Sequence, residues 1–193
     1  MTLALGAYFF LLALVLAHLE IEIEGPHGWA EKLPTRRWDG PGVRRWLGKP
    51  VTGYHCSLMT LLLLFVHLPQ LYGGSWEREA DLLAMFFLLT VTWDFLWFAC
   101  NPHFGVGRFR KGHVWWFPAW SLGLPRPYFM GIALSVISAL APSLWTGGWG
   151  DRAQRWGLVF GELLALTIVV AGITLLPWRR EPVLPAAEKV NRE

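Results

Sequence analysis

Four ionisable side chains end an uncharged segment near the N-terminus, in the stretch AHLEIEIEGPHG at residues 17–28. His18, Glu20, Glu22 and Glu24 fall within seven residues, and His27 follows soon after. Imidazole nitrogens and carboxylate oxygens are ligands that iron, zinc and manganese take in proteins. The stretch therefore indicates either a divalent metal site or a site for carboxylate acid–base chemistry.

Helical spacing divides these side chains between two faces. His18 and Glu22 are four residues apart and share one face, whereas Glu20 and Glu24 share another. The two pairs cannot serve one compact site unless the helix end unwinds at Gly25-Pro26. We expect the face of His18 and Glu22 to be directed at the site.

An aspartate and further histidines fall at the level where this first apolar segment ends. Asp94 stands in TWDFLWF, inside an apolar segment where an unpaired carboxylate is costly, so it is a functional candidate. We expect it to be buried, with a polar partner among His18, Glu22, His55 and Asn101. The candidate catalytic residues are Asp94, Glu22 and Glu20, and the candidate metal ligands are His18, Glu22, His55, Asp94, His103 and His113.

A structural interpretation of the same residues stays open. Glutamates just beyond an apolar helix can be solvated, or they can form ion pairs with the arginines of adjacent connections, namely Arg36, Arg37, Arg108 and Arg110. Carboxylates near a helix C-terminus oppose the helix dipole at a cost of up to about 1 kcal/mol each. This cost favours a compensating cation, either arginine or metal.

A second pair of ionisable residues is predicted near the opposite membrane face. His67 and Glu162 lie at matching depths in two predicted spans. They could bond each other, either as a structural contact between helices or as an element of a proton path.

The composition indicates which elements position these residues. Hydrophobic residues make up 54% of the 193 residues, and charged residues make up 16%, against about 25% in soluble domains. The apolar residues form five blocks at about 3–19, 55–72, 81–99, 128–145 and 156–176, each near the ~20 residues that a membrane-spanning helix needs. We therefore predict an all-α integral membrane bundle of about five transmembrane helices, with one helical domain over 1–178 and a polar tail over 179–193.

Lysine and arginine are distributed unevenly between the alternating connections. The connections 25–54, 100–127 and 177–193 hold fourteen of the 17 basic residues, and the segments on the other side hold three. Because basic residues accumulate on the cytoplasmic side, we expect the N-terminus outside and the C-terminus in the cytoplasm. The candidate site would then face the cytoplasm from the plasma (inner) membrane. No basic face apart from these connections indicates nucleic-acid binding.

Two classes of function fit these observations. The first is a membrane-embedded, metal-dependent enzyme acting on a lipid or isoprenoid. It would be an oxidoreductase at iron, or a hydrolase using water activated by iron, zinc or manganese. Without metal, the carboxylates would suit isomerisation or cyclisation. The alternative is a non-catalytic membrane subunit that binds lipid or pigment or assists transport, with partners in an oligomer or a larger membrane complex.

Overall fold

The computed structural model describes residues 3–176, apart from the side chains of residues 3 and 46. Within that range, five helices are long and apolar enough to cross a membrane, which confirms the predicted helical fold. Their helical cores are α1 (Leu3–Glu24), α3 (Gly53–His67), α4 (Trp76–Cys100), α5 (Arg126–Leu140) and α7 (Trp149–Thr174). A 3₁₀ turn (Leu68–Tyr72) continues α3, and the short helix α6 (Ser143–Thr146) follows α5. The predicted tail at 179–193 lies outside the described residues.

Helix α4 is the centre of the bundle and packs on α1, α3, α5 and α7. Ser75 caps its first turn by accepting a hydrogen bond from the backbone N–H of Arg78, as N-cap residues commonly do. The helix ends at Asn101, which has extended backbone because Pro102 follows it. This ending leaves the Asn101 side chain at the level of the candidate site.

Three polar contacts hold α4, α5 and α7 together toward the end of the bundle where α4 begins. The Ser135 hydroxyl donates to the carbonyl of Ala84 at 2.9 Å and accepts from the indole N–H of Trp156 at 2.8 Å. Arg152 donates to Asp81 at 3.0 Å. Interhelical hydrogen bonds of this kind contribute roughly 0.6–2 kcal/mol each in membrane proteins.

Two short hairpins shape the connections at the other end, where α1 finishes. Strand β1 (Arg37–Trp38) pairs antiparallel with β2 (Val51–Thr52) and encloses helix α2 (Pro41–Leu47). Helix α2 ends at Leu47, before Gly48, whose φ of 71° suits glycine at a helix C-terminus. Strand β3 (Trp120–Ser121) pairs with β4 (Leu124–Pro125) in the second hairpin. These connections bring aromatic and basic side chains over the helix ends.

Candidate metal and acid–base site

Three side chains with metal-ligand chemistry converge where α1 ends and α3 begins. One ligand atom from each of Glu20, Glu24 and His55 can be chosen so that all lie within 4.8 Å of one another. Both glutamates are buried, at 7% and 6% exposure. Burying carboxylates is costly unless they are paired, protonated or bound to a cation, so this cluster needs a compensating group.

The spacing of the three groups leaves room for an ion between them. His55 Nε2 lies 3.6 Å from Glu20 Oε1 and 3.8 Å from Glu24 Oε1. These separations exceed the range of an ordinary hydrogen bond. Two ligands about 2.1 Å from one tetrahedral ion stand roughly 3.4 Å apart. The donor set and its spacing therefore fit a divalent cation.

His55 is held in one orientation by its neighbours. Its Nδ1 lies 2.6 Å from the hydroxyl of Thr52, the fully buried N-cap residue of α3. The ring of Trp29 stacks on the imidazole, with centroids 4.0 Å apart and planes inclined by 20°. In metal-binding histidines, the ring nitrogen that does not bind the metal usually forms a hydrogen bond that fixes the orientation of the ring. Nε2 is thereby directed at the two carboxylates.

Glu24 is positioned by an unusual turn just after α1. Trp29 and Ala30 adopt left-handed backbone, with φ of 59° and 52°. This conformation costs energy in residues with a side chain, and it often accompanies functional sites. The turn directs the backbone N–H of Ala30 at Oε1 of Glu24, to which it donates a hydrogen bond. It also brings the Trp29 indole N–H to the carbonyl of Pro50, at 2.8 Å.

Asn101 ties the end of α1 to the end of α4. Its side-chain amide donates to the carbonyl of Gly25 at 2.9 Å, and its side-chain oxygen accepts from the backbone N–H of His103 at 2.9 Å. Asn101 is 1% exposed. Because this buried side chain bonds both the turn after α1 and the segment after α4, it fixes the position of Glu24 relative to α4.

The cluster opens into a cavity of about 180 Å³. Asp94 lies in its wall and accepts a hydrogen bond from the hydroxyl of Tyr128, a residue in the first turn of α5. Much of the remaining wall is aromatic, including Trp93, Trp97 and Trp116. Within residues 3–176, the buried indole N–H of Trp97 has no hydrogen-bond partner. The cavity wall thus combines proton-exchanging groups with a tryptophan whose indole N–H has no partner in the described part of the chain.

Lys49 is the basic residue that lines this cavity. Its ammonium lies 3.2 Å from the ring centroid of Trp29 and 4.7 Å from that of Phe117, so cation–π attraction holds it. Burial lowers the pKa of Lys49 to about 8, although the negative charges of Asp94 and Glu20 act against this shift. None of the ion pairs among residues 3–176 involves it.

The structure reverses the assignment of faces on α1. His18 and Glu22, which we expected to face the site, are exposed on the outer side of the helix, and His18 Nδ1 contacts the carbonyl of Leu14 at 2.8 Å. The inward stripe runs through Ala13, Ala17, Glu20 and Glu24, in steps of three or four residues. Small residues at that spacing mark a helix–helix interface in membranes. Ala13 and Ala17 were therefore the feature of the sequence that indicated the correct face.

Other predicted residues also lie elsewhere. The partner of Asp94 is Tyr128, and none of the four partners that we expected bonds to it among the described residues. His103 and His113 do not line the cavity, and the ring of His113 lies beside Arg110 instead. Asp94 and His55 do lie at the site. Lys49 and Tyr128 were missed because neither stands in a polar pattern within a span.

The predicted outer pair does not form. His67 Nε2 lies 2.9 Å from Glu79 Oε1, and Gln70 donates to the same carboxylate at 2.7 Å. The short connection after α3 brings His67 to the first turn of α4, where Glu79 stands. Glu162 instead lies against Gly6 of α1, where any added Cβ would overlap its carboxylate.

Comparisons of the chain with models of known protein families, with curated proteins and with solved structures found no match. The geometry of the site is therefore the evidence for its chemistry.

Proposed function

We propose that the protein is a membrane-embedded, metal-dependent enzyme that acts on a lipid or isoprenoid substrate. The observation that carries the proposal is the convergence of Glu20, Glu24 and His55 within 4.8 Å, buried beside Asp94. In this proposal Glu20, Glu24 and His55 bind iron, zinc or manganese. Asp94 and Tyr128 handle protons at the same cavity.

The donor set differs from that of mononuclear iron sites that activate oxygen. Mononuclear iron sites that activate oxygen commonly use two imidazoles and one carboxylate, whereas this cluster has one imidazole and two carboxylates. A divalent cation bound there would lower the pKa of water and supply a nucleophile near neutral pH. Hydrolysis of an ester or amide is therefore the reaction class that best fits these residues.

The other residues have defined roles in this reaction. Asp94 accepts a proton from the attacking water, and the Tyr128 hydroxyl orients the carboxylate through its hydrogen bond. The ammonium of Lys49 stabilises the negative charge that develops on the substrate carbonyl oxygen. Because none of the ion pairs in the described part of the chain involves Lys49, its ammonium is available for that oxygen.

Metal analysis of the purified protein tests the proposal. We expect close to one iron, zinc or manganese ion per chain after purification without added chelator, because the buried ligands shield the ion from exchange. Removing the metal with a chelator should lower the thermal stability, since a ligand that binds only the folded state stabilises it. Metal-free protein that is unaffected by added metal would instead support the alternative, a non-catalytic lipid-binding or transport subunit.

The proposed site faces the cytoplasm from the plasma (inner) membrane. The support is the excess of basic residues in the connections 25–54 and 100–127, which lie at the site end of the helices. Reporters fused after Glu193 should read cytoplasmic, and reporters fused before Thr2 should read external. A reporter inserted in the connection near Gly148 provides the matched external control. An external signal at Glu193 would contradict this orientation while leaving the metal site untouched.

A further inference from the structure

A second, larger groove lies directly beside the candidate site. It occupies about 490 Å³ between α4, α5 and α7, and its walls are nearly all aliphatic or aromatic, including Leu88, Phe95, Ile132 and Phe160. Its few polar side chains include Thr167, whose hydroxyl already donates to the carbonyl of Leu163 at 2.6 Å. The groove therefore suits an apolar occupant.

The groove and the polar cavity share a thin wall. Val91 and Tyr128 line both spaces. The Tyr128 ring is buried between them, with its hydroxyl on the cavity side at Asp94. Gly131 keeps the wall thin, because a Cβ there would lie 2.5 Å from Cγ2 of Val91. A molecule that passes Tyr128 would have one end among carboxylates and the other among aliphatic side chains.

The length of the groove suits an extended hydrocarbon chain. Its wall on α7 runs from Phe160 to Leu175, which is about 22 Å along the helix axis at 1.5 Å per residue. This is most of the ~30 Å hydrocarbon thickness of a bilayer. Leu164 and Ile168 at its margin are exposed by 48% and 61%, so the groove is open sideways to lipid.

We propose that this groove binds a single hydrocarbon chain of the substrate, with the polar end of the molecule in the cavity beside Asp94 and Lys49. The inference rests on the proposed function in that it takes the cavity as the reaction site. The bilayer interior is as apolar as the groove, so the transfer of a hydrocarbon chain from the bilayer into the groove releases little free energy. Selective binding must therefore depend on the polar end, which distinguishes this occupant from ordinary surrounding lipid.

The test is photolabelling of the full chain in lipid nanodiscs. The probe is hexadecanol with a diazirine midway along its chain, chosen uncharged because three carboxylates line the cavity. We expect saturable labelling of α4, α5 and α7 at the groove. Unlabelled hexadecanol should suppress this labelling, and hexadecane, which lacks the polar end, should not.

Matched variants on α7 separate the groove from the outer surface. Ala171→Trp fills the groove, and Ala165→Trp places the same bulk on an exposed position outside it. Labelling should fall at least about ten-fold in the first, a loss of ~1.4 kcal/mol or more, and stay at the wild-type level in the second. Gly172→Leu, also in the groove, serves if Ala171→Trp does not fold.

The outcomes distinguish this inference from the proposed function, because metal content is measured in the same samples. Metal-bound protein with labelling that never saturates, or that survives both groove variants, overturns the chain-binding groove alone. Crosslinking of two copies through the groove overturns it as well. Saturable labelling of a protein without metal supports the groove and overturns the metal-dependent enzyme.

Discussion

At the proposed metal site, Glu20→Gln and Glu24→Gln should each abolish metal binding, whereas Glu22→Gln should bind metal at the wild-type level. Glutamine keeps the size of the side chain and removes the negative charge that holds a divalent cation. Loss of a supporting residue around a metal usually weakens binding about 10–100-fold, and loss of a ligand should exceed that range. Metal content per chain and metal affinity by competition with a chelator measure the effect.

Glu22→Gln is a matched control because Glu22 stands on the same helix, between the two buried glutamates, with its side chain exposed. The first two variants should fold, since replacing a buried carboxylate by a neutral amide removes repulsion within the cluster. The thermal stability of these two variants, measured without metal, should therefore equal or exceed that of the wild-type protein. Loss of metal in Glu22→Gln together with retention in Glu20→Gln would refute the assignment of faces.

Asn101→Ala should destabilise the fold and weaken metal binding together. The change removes the two partly buried hydrogen bonds of a buried side chain, to Gly25 and to His103. An ordinary hydrogen bond contributes about 0.5–1.5 kcal/mol, so we expect the loss of two to lower the free energy of unfolding by about 1–3 kcal/mol. Because Asn101 sets the position of Glu24, metal affinity should fall about 10–100-fold.

Gln70→Ala provides the comparison for Asn101→Ala. Gln70 is also an amide that joins two segments, but it lies at the far end of the bundle and one of its bonds is solvent-exposed. Its loss should cost less than about 1 kcal/mol, within the usual range of surface contacts, and should leave the metal content unchanged. An Asn101→Ala protein with wild-type metal affinity would show that the link between α1 and α4 does not position the site.

The helices and the level of the site were predictable because the bilayer imposes strong constraints on the sequence. A span needs about 20 apolar residues, and ionisable residues inside it are costly, so Asp94 and the polar end of α1 were conspicuous. The bounds of α2 instead follow a local pattern, since proline opens this helix and glycine follows its last residue. The bilayer constraints also place His55 and Asp94 at the same depth in the membrane.

The sequence by itself therefore determined that Glu20 and Glu24 share one face of a helix and that Glu22 lies on another. The tertiary structure decided which face is inward, because that depends on where α4 packs, and the small residues Ala13 and Ala17 were the sequence signal for it. Ala13 and Ala17 are fully buried, and small side chains let another helix approach closely, so the glutamates below them face the cavity. Lys49 and Tyr128 come from distant segments of the chain, and the first hairpin and the start of α5 bring them to the cavity. No residue spacing within a helix indicates these contacts.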